Sequence, residues 1–410
     1  MRKYTNFEFE KPLITAPPPT NLEVIIAIPA FFEKDLLLTL NSLLDNKGYN
    51  TNIEAIIVLN ESEEVSDDVT AFHKKQYSEL IDWSSKINSQ KISFYPIYVK
   101  NIKKKIAGAG MARKIAMDEA YIRFEKANNP DGIISNLDAD TIVDDNYLLE
   151  LEKEALKRNK IKAYSIHFEH LLHKGLSEEN KLAIISYELH LRYFINMQKM
   201  LKLPYAYQVM GSAMAVKAFA YAEAFGMNKR QAGEDFYFLQ KFINTGYFSN
   251  INSTTVYPSA RISQRVPFGT GRALYDILTL GKIPETYNYK SFIALRTFTD
   301  KLEVFYNDYS KGIELLTNPI LEYLESKSFE KIHFEIKKHT KDFQGYRKRL
   351  FRWFDAFLLM KYLHYARDKY FPNIPIDIAT DYLFEQLKID NEISLEQKLN
   401  ILRKLDKKGY

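Results

Sequence analysis

Two short acidic motifs hold the side chains best suited to chemistry. In the first, LDADT at residues 137–141, Asp138 and Asp140 stand one residue apart directly after an apolar run. Carboxylates at the end of a strand present hard oxygen ligands to Mg²⁺ or Mn²⁺, and the cation in turn holds a diphosphate. Because Asp also favours turns and helix caps, an ordinary turn is the alternative interpretation.

The second motif, AGEDF at residues 232–236, opens a segment with apolar residues at helical spacing. Asp235 is then expected near a helix N-terminus, where the helix dipole favours the anionic carboxylate. A carboxylate that is ionised at neutral pH suits a general base. An acidic first helical turn without any further role is the alternative interpretation.

Two glycine-containing segments are suited to approach phosphate. The GAG segment at residues 108–110 precedes a helical pattern that contains Arg113, and small residues before a helix allow close backbone approach to an anion. The segment at residues 261–272 holds three Arg, among them Arg265, and two Gly, which suits closure over a leaving diphosphate. A simple helix-entry turn and a solvated basic loop are the respective alternatives.

A further polar cluster follows a predicted strand and consists of His167, Glu169, His170 and His173. It could supply an additional metal ligand, but it lacks the helical HExxH spacing of a zinc site. A polar strand edge and loop is therefore the favoured interpretation, and His167 and His170 are the outside candidates for a ligand.

Apolar runs that alternate with helical patterns must position these motifs. Short runs rich in β-branched residues are typical of strands buried on both faces of a parallel sheet. The alternation predicts an α/β fold, a mainly parallel sheet flanked by helices, with ligands bound beyond the carboxyl ends of the strands. Strands are predicted at residues 23–29, 54–59, 92–99, 132–137, 161–168 and 210–216, and helices at residues 33–44, 63–86, 110–126, 144–158, 178–201 and 233–245.

The pattern divides the chain into three parts. Residues 1–20 form an N-terminal extension that ends in a Pro-rich spacer, which can neither continue a helix nor pair as a central strand. Residues 21–285 form the α/β domain. Residues 286–410 show a helical pattern, with a break at Pro372 and Pro375.

Composition excludes several classes of site. The chain has 410 residues and no cysteine, so disulfides, thiolate metal sites and cysteine nucleophiles are ruled out. With 46% apolar residues it is expected to fold. No apolar run reaches about 18 residues and the first ten residues lack the apolar stretch of a signal peptide, so we expect an unexported, cytoplasmic protein that does not span a membrane.

The motifs together resemble the family 2 glycosyltransferases, which have the GT-A fold, a Rossmann-like sheet. The resemblance covers about residues 22–272 and rests on short motifs in the same order. These are IPAFFE at residues 28–33, GAGMAR at residues 108–113, Asp138-Ala139-Asp140, Gly211-Ser212-Ala213 and Gly233-Glu234-Asp235.

The resemblance implies roles for individual residues. On the donor side, Pro29, Ala30 and Glu33 match the first nucleotide-binding loop, Gly108 and Arg113 a segment near the nucleotide, Asp138 the aspartate near the ribose, and Asp140 the metal ligand. Arg265, the basic residue of a closing loop, also belongs to the donor side. On the acceptor side, Gly211, Ser212 and Glu234 line the acceptor, and Asp235 is the catalytic base. The implied reaction moves a sugar from a nucleotide-sugar donor to a hydroxyl, with inversion and a divalent cation, Mn²⁺ or Mg²⁺.

The chain departs from the family in two places. Where the family has an acidic stretch that contacts the base, this chain has Asn60, which both donates and accepts, so a nucleotide other than a uridine nucleotide is an alternative. The QxxRW signature of processive synthases is missing, because Gln264 is followed at once by Arg265. The resemblance therefore implies a non-processive enzyme that acts on a glycan or on a lipid-linked or surface polysaccharide precursor.

Two other functions fit parts of the sequence. The DxD motif also matches the first motif of haloacid-dehalogenase-like phosphatases, with Asp138 as nucleophile, although several predicted strands precede it here. A glycosyltransferase-like protein that only binds a nucleotide or a glycan is the non-enzymatic alternative. Neither interpretation uses the whole set of motifs.

The small excess of positive charge is concentrated near the C-terminus. The chain holds 57 Lys and Arg against 52 Asp and Glu, and residues 331–369 hold 11 basic and 4 acidic residues beside several aromatic ones. Packing against the catalytic domain is the favoured interpretation of this segment. The alternative interpretation is a peripheral contact with anionic lipid at the inner face of the membrane. No nucleic-acid partner is expected.

Overall fold

A computed structural model of the chain describes residues 4–88, 91–172, 175–229, 233–263 and 269–409. The described chain forms two compact units, each built from separate segments. The first unit contains residues up to 171 together with residues 209–260 and 406–410, and the second contains residues 172–208 and 261–405. These limits differ from the linear boundaries at residues 20 and 285, because the chain leaves the first unit at residue 172 and returns to it at residue 209.

The first unit contains eight strands and six helices within the described residues. The strands are β1 (Leu22–Ala30), β2 (Asn52–Ser62), β3 (Ile92–Ile102), β4 (Ile133–Asn136), β5 (Ile142–Val143), β6 (Ala163–Phe168), β7 (Met214–Lys217) and β8 (Phe248–Tyr257). The helices are α1 (Leu36–Leu44), α2 (Asp67–Ile87), α3 (Ala109–Lys126), α4 (Tyr147–Leu156), α6 (Ala218–Glu223) and α7 (Glu234–Ile243), while α5 (Glu178–Met200) belongs to the second unit.

The eight strands form one sheet in the order β3-β2-β1-β4-β7-β6-β8-β5. β1 pairs in parallel with β2 and β4, and β2 pairs in parallel with β3. β7 is antiparallel to both β4 and β6, β6 is parallel to β8, and β5 is antiparallel to β8. Six strands therefore run in one direction and two in the other, which confirms the predicted α/β class with a mainly parallel sheet flanked by helices.

Strand β8 is the one long strand that the sequence pattern does not predict. It spans Phe248–Tyr257, and its sequence, FSNINSTTVY, has Asn, Ser and Thr where a buried strand usually has Val, Ile or Leu. Two of its polar residues, Thr254 and Thr255, are nevertheless buried. Pairing with β6 on one side and β5 on the other overrides the weak local signal.

Helix α3 is buried on almost all sides, although a surface helix normally buries one stripe. Five of its buried residues carry charge: Arg113, Lys114, Asp118, Glu119 and Arg123. Buried charges must be paired. At the C-terminal end of the helix, Arg123 forms a two-pronged ion pair with Glu54 of β2 and donates to the carbonyl oxygen of Ala16 at 2.9 Å.

The N-terminal segment pairs the remaining charges of α3. The Asp118 carboxylate accepts from the hydroxyls of Tyr4 and Tyr221, each at 2.6 Å, and lies 2.9 Å from Lys114 Nζ. The Glu119 carboxylate accepts from the backbone N–H groups of residues 13 and 14. Residues 4–14 thus pack on the helix that carries Arg113.

The second unit is helical apart from a two-stranded ladder, which confirms the helical C-terminal region. Its strands are β9 (Glu285–Thr286) and β10 (Ile374–Pro375). Its helices after α5 are α8 (Thr270–Leu278), α9 (Tyr289–Thr299), α10 (Leu302–Asn307), α11 (Tyr309–Glu314), α12 (Asn318–Ser326), α13 (Phe329–Lys338), α14 (Phe343–Trp353), α15 (Ala356–Lys369), α16 (Ile376–Leu387) and α17 (Leu395–Lys408). The last residues of α17 belong to the first unit. Among the described residues, no helix is both long and apolar enough to cross a bilayer.

The Arg123–Glu54 pair generates a prediction about stability. We expect Arg123→Met to lower the free energy of unfolding of the chain by about 3–5 kcal/mol, because it leaves the Glu54 carboxylate buried without its partner. The double variant Arg123→Met/Glu54→Leu should recover most of that loss, since both charges are then gone. Urea unfolding followed by circular dichroism measures both. A double variant as unstable as the single one would contradict this account.

Candidate functional site

The carboxyl edge of the sheet gathers most of the residues singled out above. β1, β2 and β4 end there, at Ala30, Ser62 and Asn136. β7 runs in the opposite direction, with Met214 opposite Asn136, so residues 211–212 just before it lie at the same edge. The register of the sheet therefore brings together segments that are far apart in the sequence.

Arg113, on the first turns of α3, is the centre of this edge. Its side chain is 5% exposed, and its Nη2 donates to Asp138 Oδ1 at 2.7 Å. Its Nη1 donates to Glu234 Oε1 at the start of α7. Three predicted motifs, separated by up to 121 residues, thus meet at one guanidinium group. Its Nε, a further donor, is buried and has no partner among the described residues.

The absence of a side chain at Gly211 leaves room for the guanidinium of Arg113. A Cβ at this position would lie 2.7 Å from Arg113 Nη2 and 2.9 Å from its Cζ. Real Cβ atoms do not approach so closely, and Arg113 cannot move aside without breaking its buried ion pair with Glu234 and its partly exposed one with Asp138. The glycine is therefore needed here for its small size. The neighbouring Ser212 is buried as well.

The charges around Arg113 shift one another's pKa values. Burial alone would lower the pKa of Arg113, but the carboxylates of Asp138, Glu234 and Asp235 raise it above its ordinary value. Burial raises the pKa of Glu234 and of Asp235, and Arg113 opposes both shifts. A carboxylate with a raised pKa is a stronger base when ionised.

One atom of the Asn60 amide, Oδ1, has no hydrogen-bond partner among the described residues. Its Nδ2 donates to the carbonyl oxygen of Gly108 at 3.1 Å, and the amide orientation follows because a carbonyl can only accept. Its Oδ1 is buried and has no partner among the described residues. The amide therefore keeps an acceptor, Oδ1, in addition to the second hydrogen of Nδ2, which the Gly108 contact does not use. The sequence does not reveal this, because the Gly108 carbonyl comes from another loop.

A network next to Asn60 was not predicted from the sequence. The Phe32 N–H donates to His73 Nε2 at 2.8 Å, so this imidazole carries its proton on Nδ1, which lies 3.0 Å from Glu61 Oε1. The hydroxyl of Tyr98 donates to the same carboxylate oxygen. Phe32 has a left-handed backbone with φ of 48°, and this contact holds it there. The sequence gives no signal for this network. His73 is buried in α2, but the spacing of apolar residues along that helix does not reveal its burial.

Pro29, Ala30 and Glu33, which the resemblance assigns to the first nucleotide-binding loop, are all buried. Pro29 and Ala30 lie inside β1, paired with residues 58 and 59 of β2, so the strand continues beyond the proline that was expected to end it. Pro29 lies past the part of β1 that pairs with β4, so its missing N–H breaks no ladder. Glu33 is 2% exposed. Its backbone carbonyl accepts from Gln76 of α2 at 2.5 Å.

The predicted metal ligand, Asp140, is partly exposed in the turn after β4. Its neighbour Ala139 is held by a hydrogen bond from the Thr39 hydroxyl to the Ala139 carbonyl oxygen at 2.9 Å. No group of three His, Asp or Glu side chains in the described part of the chain forms a ready-made metal cage. Asp140 as a metal ligand stays a prediction. With this single carboxylate, the cation would take its other ligands from phosphate and water, as Mg²⁺ commonly does.

In the histidine cluster, the described contacts join residues 167, 169 and 407. His167 and His170 are buried, and His167 Nε2 lies 3.0 Å from Glu169, which also contacts Lys407 at 3.1 Å. His173 and Arg265 lie outside the described residues. Asp138 and Glu234 are the predicted residues that contact Arg113 directly, and Asn60 and Gly108 contact each other.

Comparisons with known proteins give weak similarities. No family model matches the chain, and no curated protein matches it. Among solved structures it is similar to S. aureus TarS 1–349 in complex with UDP-GlcNAc, with 13% identity, a TM-score of 0.41, and coverage of 79% of this chain and 89% of that one. The complex of the same protein with UDP gives 12% identity, a TM-score of 0.39, and coverage of 81% and 92%. TM-scores this low do not by themselves establish a common fold.

The close approach of Gly211 to Arg113 generates a prediction with an internal control. We expect Gly211→Ala to lower the free energy of unfolding by about 1–3 kcal/mol, because the new methyl group overlaps the guanidinium. In an Arg113→Ala background the same substitution should cost much less, since the space is empty. Thermal and urea unfolding of the four proteins of this cycle measures the coupling. An equal cost in both backgrounds would place the clash elsewhere.

Proposed function

We propose that the chain is a nucleotide-sugar-dependent glycosyltransferase of the family 2 type, inverting and non-processive. The observation that carries the proposal is the meeting of Asp138, Glu234 and Arg113 at the carboxyl edge of the sheet. In α/β sheets this edge is where ligands bind. An inverting transfer needs a cation or dipole for the leaving diphosphate and a base for the acceptor hydroxyl, and this edge offers both kinds of group.

Asp235 is the base in this proposal. It lies next to Glu234, which the Arg113 ion pair holds in place, and burial raises its pKa. The acceptor hydroxyl gives its proton to the Asp235 carboxylate as its oxygen bonds to the anomeric carbon from the face opposite the leaving group. The bond between that carbon and the diphosphate oxygen breaks, and the negative charge passes to the diphosphate.

Arg113 and Asp140 serve the donor side. The unpartnered Nε of Arg113 is a buried donor suited to an anionic oxygen of the donor. Asp140 would hold a divalent cation, whose chemistry when bound is to neutralise the departing diphosphate. The acceptor is proposed to be a glycan or a lipid-linked or surface polysaccharide precursor, bound on the side of Gly211, Ser212 and Glu234.

Asn60 supports a uridine nucleotide as the donor. Its free Oδ1 is an acceptor, and the ring N–H of uracil is a donor that would satisfy it. The presence of Asn in place of the family's acidic residue does not argue against uracil, because the carbonyl oxygen of the Asn60 amide can accept as a carboxylate does, while Nδ2 donates to Gly108. TarS, which is similar to this chain, is a protein solved with UDP and with UDP-GlcNAc.

The base contact is tested with a modified nucleotide. We expect the intact chain to bind UDP about tenfold more tightly than UDP methylated at the ring nitrogen, because methylation removes the donor and leaves Asn60 Oδ1 unsatisfied. Asn60→Ala should weaken UDP binding and bind the two nucleotides about equally. Isothermal titration calorimetry in the presence of Mn²⁺ gives the four affinities. Tighter binding of GDP or ADP than of UDP would reject uridine while leaving the transferase proposal intact.

The catalytic role is tested at Asp235. A screen of nucleotide sugars for thermal stabilisation identifies the donor, because a ligand that binds only the folded state raises its melting temperature. With that donor, Asp235→Asn should lower the transfer rate by about 10²–10⁴-fold while donor binding remains, since the lost group acts as a general base. Chelation of divalent cations should abolish transfer by the unaltered chain.

Asp145→Asn is the matched control, because Asp145 is an exposed aspartate in the same unit. It should leave the transfer rate unchanged. Full activity of Asp235→Asn would favour a protein that only binds the nucleotide or glycan. Hydrolysis of simple phosphate esters that needs no nucleotide sugar and is lost in Asp138→Asn would instead establish the phosphatase alternative.

A further inference from the structure

The net positive charge of the chain lies in one helical hairpin. Residues 329–353 contain eight Lys and Arg against three Asp and Glu, a net charge of +5, which equals that of the whole chain. The other 385 residues hold 49 basic and 49 acidic residues. We call residues 329–353, which comprise α13, α14 and the turn between them, the basic hairpin.

Six of the eight basic side chains of the hairpin are exposed, and Lys337 and Arg347 are half-buried. Lys331, Lys338, Lys348, Arg349 and Arg352 are all exposed. Within the part of the chain that the structure describes, none of the eight basic residues forms an ion pair, whereas surface lysines elsewhere do, such as Lys153 with Glu150 and Lys369 with Glu322. Their positive potential is therefore not cancelled locally, and it extends over about 10 Å at moderate salt.

The hairpin has a clear inner and outer side. On the inner side, Phe329 and His333 of α13 and Tyr346 of α14 are buried, and His333 Nδ1 lies 2.8 Å from the Tyr346 hydroxyl. Leu350, Phe351 and Phe354 are buried too. These aromatic and aliphatic residues, which the sequence offers as a membrane contact, are thus used for packing within the second unit.

One large apolar side chain remains on the outer side. Phe334 is 51% exposed, and one side of its ring contacts His333 and Tyr309. Lys331 and Lys338, three residues before it and four after it, share its face of α13. An exposed aromatic ring flanked by lysines is the arrangement of amphipathic helices that lie in a lipid interface. There the ring enters the acyl boundary and the lysines reach the headgroups.

We propose that the outer side of the basic hairpin binds an anionic lipid surface. The charge of the hairpin complements acidic headgroups, and Phe334 gives the contact an apolar component that a soluble polyanion would not use. The proposal stands apart from the transferase activity, because its residues belong to the second unit, whereas Arg113, Asp138 and Asp235 belong to the first.

The test uses the full chain and sedimentation with vesicles of phosphatidylcholine, with or without phosphatidylglycerol. We expect binding only to the vesicles that contain phosphatidylglycerol, and weaker binding at high salt. The triple variant Lys331→Glu/Lys338→Glu/Arg349→Glu should lose at least about tenfold in affinity, because each basic residue near the surface contributes to attraction. Phe334→Ser, which changes no charge, should also weaken vesicle binding but leave binding to soluble polyphosphate unchanged.

The matched control is Lys290→Glu/Lys301→Glu/Lys404→Glu, which changes the net charge equally at three exposed lysines of the second unit outside the hairpin. It should bind anionic vesicles much more tightly than the hairpin variant does. Thermal unfolding by circular dichroism checks that all variants fold. Three results would overturn the proposal: no binding of the unaltered chain to anionic vesicles, equal loss in both triple variants, or vesicle binding that Phe334→Ser does not alter.

Discussion

A guanidinium group buried in a protein must be surrounded by acceptors, and this requirement at Arg113 shapes the carboxyl edge of the sheet. Removing the charge from water costs several kcal/mol by general estimates, and the cost is recovered only when carboxylates meet it with good geometry. Asp138 after β4 and Glu234 at the start of α7 supply them. The positions of the turn after β4, the first turn of α7 and the glycine before β7 are therefore all fixed by one side chain.

The same requirement extends along α3. A helix that is buried on almost all sides and still carries five charged residues depends on partners from many elements. Glu54 from β2, Tyr221 from α6 and the segment at residues 4–14 provide them. The side chains that hold α3 thus indirectly set the position of Arg113. Since the partners of Arg113 are already in place, little reorganisation is needed when a ligand arrives.

The sequence predicted the elements whose signal is local. Continuous apolar runs marked β1, β2 and β4, and helical periodicity marked α3 and α7, because these patterns follow from burial of each segment by itself. β8 was missed, since its polar sequence gives little local strand signal and the strand depends on pairing with β6 and β5.

Prediction of the site shows the same limit. Asp138, Arg113 and Glu234 were selected one by one, and their contact follows from the sheet register. The use of the Asn60 amide by Gly108, and the contact between His73 and Phe32, depend on backbone atoms from distant loops. No pattern along the chain records such contacts. Likewise, the aromatic residues around residue 350 look alike in the sequence whether they pack inward or face outward, and the fold decides that they pack inward.

The antiparallel strand β7 also has a consequence for how the chain folds. β7 sits between β4 and β6 and pairs with both, yet residues 172–208 of the second unit separate it from β6 in the sequence. β7 can pair with β4 and β6 only after the chain has passed through residues 172–208, and a long separation in the sequence slows strand pairing. Assembly of the Arg113 cluster, which needs Gly211 just before β7, is therefore expected to be a late event in folding rather than part of the initial nucleus.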